Sequence, residues 1–156
     1  MSQSAESTFV YVTFIRTTPE KLWSALTDAA QMKEYWFGMH IKAEWKPGAE
    51  WQMLFPDGRV ADNGEIIEIE RPKRIRLKWR NEFRPELKAE GFALCTMELE
   101  PVGASVRLTI THTIERADSK LIQAVSGGWP KILSNLKSML ETGQIVLTQA
   151  DHSHAR

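Results

Sequence analysis

Residues 119–142, SKLIQAVSGGWPKILSNLKSMLET, carry the pattern that decides the fold. Apolar residues recur there every three or four positions, which predicts a helix with one continuous apolar stripe. At about 1.5 Å per residue this helix would be roughly 36 Å long, enough to cross a whole sheet. Pro130 removes a backbone hydrogen bond inside it, so one bent helix is the preferred prediction and two shorter helices are the alternative. The stripe consists of Leu121, Val125, Trp129, Leu133, Leu136 and Leu140.

The chain before this helix shows strand and turn patterns. Residues 8–16 predict a first strand, and Thr18 and Asp28 are the predicted caps of two short helices, at 19–27 and 28–36. Alternating apolar and charged residues in the later strands indicate a sheet with one covered and one wet face, as antiparallel meanders allow. Turn sequences containing Pro and Gly separate six further predicted strands, near 40–45, 49–55, 61–70, 73–81, 91–100 and 104–115.

Length and composition limit the class of protein. A chain of 156 residues predicts one domain, placed at residues 8–143, with flexible tails at 1–7 and 148–156. The 20 basic and 20 acidic residues give a formal net charge of zero, which argues against a nucleic-acid partner. No secretory signal is visible and no apolar run approaches the roughly 20 residues that span a bilayer, so a cytoplasmic protein is expected. Cys95 is the only cysteine, which leaves no intramolecular disulfide.

The six tryptophans are more than a packed core ordinarily uses. Each buried indole N–H needs a partner, and methionine adapts to loosely defined apolar guests. Strand alternation directs many of these side chains towards the helix, where they could form either a filled core or the wall of a pocket. Exposed aromatic side chains around Trp36, Phe37 and Trp45 would allow a homodimer as well as a monomer. The predicted ligand-binding residues are Trp36, Trp51, Met53, Trp79, Cys95, Met97, His112, Trp129 and Leu133.

His112 is the one titratable group expected on the apolar face. It could be a neutral core imidazole, a polar anchor for a ligand, or a general acid or base. Glu65 could reach inward from its strand and Asp62 lies near the mouth of that strand, although strand carboxylates are usually solvated. No residue is assigned as catalytic. The histidines form no ligand cluster and no phosphate loop is present, so neither a metal nor a cofactor is predicted.

Several segments resemble a known family: TTPEKLWSALTDAAQMKEYW (17–36), DNGEIIEIERPKRIRLKW (62–79), LTITHT (108–113) and GWPKILSNLKSMLETG (128–143). They are similar to homologues of the activator of heat-shock protein 90 ATPase, in its C-terminal domain. That family belongs to the START-like or SRPBCC superfamily, and the resemblance extends over about residues 8–143. It implies an α+β helix-grip fold (START-like, Bet v 1-like), in which a curved antiparallel seven-stranded sheet wraps the long C-terminal helix.

The resemblance also implies a cavity between sheet and helix that takes apolar or amphipathic small molecules. The preferred functional prediction is therefore a small-molecule-binding domain without catalysis of its own. One alternative is a co-chaperone-like regulator of a heat-shock protein 90 ATPase. A second alternative is a cyclase- or hydratase-type enzyme in the same cavity, with His112 as acid or base; on balance an enzyme is not favoured.

Overall fold

The protein is described by a computed structural model over residues 5–148 and residue 151. A seven-stranded antiparallel sheet and a long C-terminal helix form the predicted helix-grip fold. The predicted tails include residues 1–4, 149–150 and 152–156, which lie outside the described residues. The elements are β1 (Ser7–Ile15), α1 (Pro19–Thr27), α2 (Ala29–Tyr35), β2 (His40–Ala43), β3 (Glu50–Leu54), β4 (Val60–Glu70), β5 (Arg74–Asn81), α3 (Pro85–Lys88), β6 (Ala93–Val102), β7 (Ser105–Ile114) and α4 (Lys120–Thr142).

The strands are arranged in the order β1-β7-β6-β5-β4-β3-β2. Strands β2 to β7 therefore form a meander of neighbours in sequence, and β1 closes onto the last of them, with Ser7 opposite Ile114. The register shifts between Met53 and Leu54 and again between Ile66 and Glu68. Such irregularities increase the local twist of a strand pair, which helps the sheet to curve around the helix.

The face that alternation predicts to point inward is the buried one. Ile75, Leu77 and Trp79 on β5 are all buried, as are the corresponding residues of β6 and β7. Glu65 is exposed, so its predicted inward reach is wrong. Neighbouring side chains in a strand point to opposite faces, and the buried Ile66 occupies the inward position next to it.

Two aromatic residues that were expected at the surface are buried. Trp36 and Phe37 are each only 6% exposed, and Trp45 is half-buried. Both buried rings follow α2 directly and pack into the main core. They therefore offer no apolar surface for a dimer, which corrects the sequence-based interpretation.

The helix α4 runs without interruption through Pro130, so one helix is confirmed rather than two. Ser119 is its N-cap and accepts a hydrogen bond from the backbone N–H of Ile122. Gly143 ends it in the left-handed conformation at φ 83°. No helix in the described part of the chain is both long and apolar enough to cross a membrane.

One element was not predicted. The single-turn helix α3 connects β5 to β6 and buries Leu87. Four residues are too few to show a helical period, so its sequence carries no recognisable signal. It matters for function because it forms one side of the cleft described next.

Candidate ligand-binding cleft

A cleft of about 500 Å³ opens between the N-terminal half of α4, the helix α3 and the adjoining ends of β4 and β5. Aromatic and aliphatic side chains form most of its wall, with a few polar groups among them. The lining residues are Trp36, Met39, Asp62, Trp79, Asn81, Phe83, Arg84, Leu87, Leu121, Gln123, Ala124, Val125, Gly127, Gly128, Trp129, Lys131 and Ile132.

Three tryptophans from three elements form one wall. Trp129 of α4 meets Trp36 edge-on at a centroid distance of 5.2 Å and Trp79 of β5 at 5.9 Å. Trp36 and Trp79 lie nearly parallel, with their centroids 6.4 Å apart. Each ring is almost fully buried by the other two and by the core, so the wall is held in one arrangement.

The position of Trp36 depends on contacts at the end of α2. The Tyr35 hydroxyl donates a 2.8 Å hydrogen bond to the carbonyl of Ala25 in α1. Asn135 of α4 donates through Nδ2 to the carbonyl of Tyr35 at 3.3 Å. These bonds connect the C-terminal end of α2 to two other helices immediately before Trp36, and thereby orient it towards the cleft.

The nine predicted ligand-binding residues divide into two groups. Trp36, Trp79 and Trp129 line the cleft. The other six are buried deeper between sheet and helix and do not line it, because side chains from both layers fill that space: Trp51, Met53, Cys95, Met97, His112 and Leu133.

Trp51 shows how closely this interior is packed. Its indole N–H donates a 2.9 Å hydrogen bond to the carbonyl of Lys78, across β4. Its ring meets Trp79 edge-on with centroids 4.7 Å apart. Gly64 of β4 lies between Trp51 and Lys78, and a Cβ added there would stand 1.7 Å from the Lys78 carbonyl oxygen. The arrangement requires glycine at this position.

His112 lies behind the tryptophan wall rather than in the cleft. Its Nδ1 accepts a 3.2 Å hydrogen bond from the indole N–H of Trp129, and its ring meets Trp79 edge-on at 5.4 Å. Burial lowers the pKa of the imidazole to about 3. At neutral pH it is therefore an uncharged core group, and this geometry gives no support to acid or base catalysis by His112.

Asp62 is the buried charged group of the cleft. The sequence did not identify it as a ligand contact. Asp62 is only 9% exposed, and its carboxyl interacts with the indole N–H of Trp79 and the side-chain amide of Asn81. Burial, reinforced by the nearby charge of Glu82, raises the pKa of Asp62 to about 7. Strand alternation could have identified it. Asp62 lies four residues from the inward-facing Ile66 on the same strand, and residues an even number of positions apart point to the same face.

Within residues 5–148 and 151, no three His, Cys, Asp or Glu side chains come together in a way that could hold a metal ion. The thiol of Cys95 is fully buried, and burial raises its pKa. A thiol in that environment is inert as a nucleophile.

Comparison with protein-family models identifies the family of this chain. The family model described as "Activator of Hsp90 ATPase homolog 1-like protein" matches residues 16–141. The chain belongs to this family. The sequence resemblance is thereby confirmed, and the match includes α1, α2, α3, every strand except β1, and α4 except its last residue. No curated protein matches the chain significantly.

Solved structures share the fold of this family member. A protein from Mesorhizobium loti is 22% identical with a TM-score of 0.75, over 89% of this chain and 100% of that chain. The Aha1 dimer from Colwellia psychrerythraea is 18% identical with a TM-score of 0.71, over 88% and 98%. An HSP90 activator from Plasmodium falciparum is 24% identical with a TM-score of 0.70, over 85% and 95%. At these identities the likeness establishes the common architecture.

Proposed function

We propose that this protein binds an apolar or amphipathic small molecule in the cleft beside α4, without catalysing a reaction. The observation that carries the proposal is the tryptophan wall of Trp36, Trp79 and Trp129, which faces a cleft of about 500 Å³. Sites for drug-sized ligands have volumes of roughly 300–1,000 Å³ and combine mostly apolar walls with a few polar groups. Removal of apolar ligand surface from water would supply most of the binding free energy.

The proposed site is narrower than the family-based expectation of a large space between sheet and helix. Six of the inward-facing residues there are at most 1% exposed, so the ligand would enter at the end of the sheet instead. Gly127 and Gly128 on α4 support this entry, because a Cβ added at either would meet no heavy atom within 4 Å apart from its chain neighbours and the adjacent backbone of the helix. The helix thus leaves room for a guest on this side.

Intrinsic tryptophan fluorescence tests the proposal directly. Fatty acids, sterols and aromatic polyketides would be titrated into the protein, and a ligand against the wall should quench or shift the emission. Gly128→Met would occupy the cleft and should weaken binding at least tenfold. Ser134→Met, on an exposed position of the same helix, is the matched control and should bind as the unmodified chain does. Equal binding by both variants, or no response to any compound, would contradict the proposal.

A second candidate function is regulation of a chaperone ATPase in the cytoplasm, as the family description implies. One surface feature favours it. Val10, Val12 and Phe14 alternate along the edge strand β1 and are 55%, 47% and 49% exposed. An exposed apolar stripe of this kind favours a protein partner, which could also be a second copy of the chain.

Coupled ATPase assays with the chaperone of the host organism test this candidate. Stimulation by the unmodified protein that is lost in Val12→Lys but kept in Gly128→Met would support it and separate it from ligand binding. Absence of stimulation would exclude it. Sedimentation of both variants would show whether the stripe instead mediates homodimer formation.

A further inference from the structure

We propose that the cleft selects a cationic amphiphile, a molecule with a protonated amine on an apolar body, and that the Asp62 carboxylate binds its ammonium group. This inference rests on the proposed function of the cleft and specifies the chemistry of its ligand. Asp62 lies on β4 directly opposite Asn81 of β5, and both side chains line the cleft.

Asp62 is a buried carboxyl without a cationic partner among the described residues. The nearby basic side chains are engaged by Glu82, whose carboxylate lies 2.5 Å from Arg80 Nε and 3.3 Å from Lys88 Nζ. The partner of Asp62 on β3 is Met53, which is apolar and buried. A buried carboxylate with no counter-charge is costly, so a ligand cation would supply what the protein lacks.

The ionisation of Asp62 agrees with such a ligand. Burial is the main cause that raises its pKa to about 7, and Glu82 adds to it. Near neutral pH the group is therefore divided between its protonated and ionised forms. An ammonium group within contact distance would favour the ionised form, and the attraction is stronger in a partly buried site than in water.

The tryptophan wall lies beside Asp62 and provides an apolar surface for the body of such a ligand. Trp79 interacts with the Asp62 carboxyl through its indole N–H, and Trp36 lies nearly parallel to Trp79 at 6.4 Å. A single ammonium near Asp62 could thus contact the carboxylate while the apolar body lies against the wall.

Arg84 and Lys131, two basic residues at the rim of the cleft, favour an anionic ligand. Their surroundings weaken this attraction. Arg84 is 48% exposed in its side chain and is paired with Glu86 at 2.8 Å. Lys131 is half-buried on α4 at the edge of the cleft. Charges that face water are screened by solvent and salt, whereas Asp62 is not. We therefore expect the buried carboxylate to decide the selectivity.

Three probes with one apolar body test the inference: phenylbutylamine, phenylbutanol and phenylbutyrate, titrated at pH 8 by calorimetry. We expect the amine to bind about tenfold more tightly than either of the others. Asp62→Asn should remove the preference for the amine while leaving the affinity for phenylbutanol unchanged. Glu100→Gln, at an exposed carboxylate of β6 outside the cleft, is the control and should retain the preference for the amine.

Tighter binding of phenylbutyrate would show that the rim cations decide and would overturn the inference. So would equal binding of amine and alcohol, or a preference that survives Asp62→Asn; in these cases the cleft still binds small molecules. If none of the three probes binds, the inference also fails. The proposed function then fails with it only if the fatty acids, sterols and polyketides give no response either.

Discussion

The indole N–H of Trp129 donates a 3.2 Å hydrogen bond to Nδ1 of His112. This bond joins the middle of α4 to β7 inside the core, and it makes Nδ1 the acceptor, so that Nε2 carries the proton of the neutral ring. Nε2 is itself buried with no hydrogen-bond partner among the described residues. The pair is structural, and its energetic contribution depends on the imidazole staying uncharged.

We predict that His112→Phe destabilises the fold by about 2 kcal/mol at pH 7, because the indole N–H of Trp129 loses its buried acceptor. The pKa of His112 is lowered to about 3, below its usual 6.5. Its stabilising contribution is therefore present above pH 6.5 and is lost as the pH falls towards 3. Urea unfolding should show the unmodified chain losing stability relative to His112→Phe over that interval, until the variant is the more stable of the two. A gap that does not change with pH would contradict this account of His112.

For Asp62 the pH dependence has the opposite sign. Its pKa is raised to about 7, so folding is favoured most below pH 4, and that contribution is lost as the pH rises to about 7. We predict that Asp62→Asn equals the unmodified chain in stability near pH 4 and exceeds it by several kcal/mol at pH 8, because each pKa unit corresponds to about 1.4 kcal/mol. Urea unfolding at both pH values measures this difference. If the variant were less stable than the unmodified chain at pH 8, the ionised Asp62 carboxylate would instead stabilise the folded state.

Ligand binding should follow the same ionisation. We predict that the affinity for phenylbutylamine rises between pH 6 and pH 8 and then levels off, because Asp62 ionises over that interval while the amine stays protonated. Calorimetric titrations at several pH values measure this. Asp62→Asn should show no such rise, and phenylbutanol serves as the uncharged control. An amine affinity that falls as the pH rises would be incompatible with binding to the carboxylate.

Two glycines should respond in opposite ways to alanine. In Gly64→Ala the new Cβ would stand 1.7 Å from the carbonyl oxygen of Lys78, so β4 and β5 must separate locally. We predict a loss of about 3 kcal/mol or more, as for other severe steric conflicts in a core. In Gly128→Ala the methyl group meets open space inside α4, and a gain of up to about 1 kcal/mol is expected from helix propensity. Thermal unfolding compares the two variants; a tolerated Gly64→Ala would show that the strands can shift.

Most of the fold could be predicted because its signals are local. Alternation on β5 and the apolar stripe of α4 each indicate which side of the element is buried. The observed helix α4 begins one residue after its predicted start. The single turn of α3 escaped prediction because four residues carry no period. Ser119, the first residue of the predicted helix, is its N-cap, and Asp118 before it adopts a positive φ of 53°.

The candidate site was predicted only in part. Alternation identifies a side chain as inward-facing, and this was correct for Trp51 and Met97 as well as for Trp79. Whether an inward side chain meets other side chains or an open cleft depends on the element opposite it. For Trp79 that surrounding structure comes from α3, which follows its strand directly, and from α2 and α4, which are distant in sequence.

The sequence by itself determined the face of each strand that is buried, because this follows from residue patterns within single elements, and its resemblance to a known family supplied the family and the class of fold. Only the tertiary structure decided that the space beneath the helix is filled, that the opening lies at the end of the sheet, and that His112 is sealed behind Trp129 while Asp62 faces the cleft. The physical reason is that desolvation depends on everything packed around a group. Desolvation lowers the pKa of the His112 imidazole and raises the pKa of the Asp62 carboxyl.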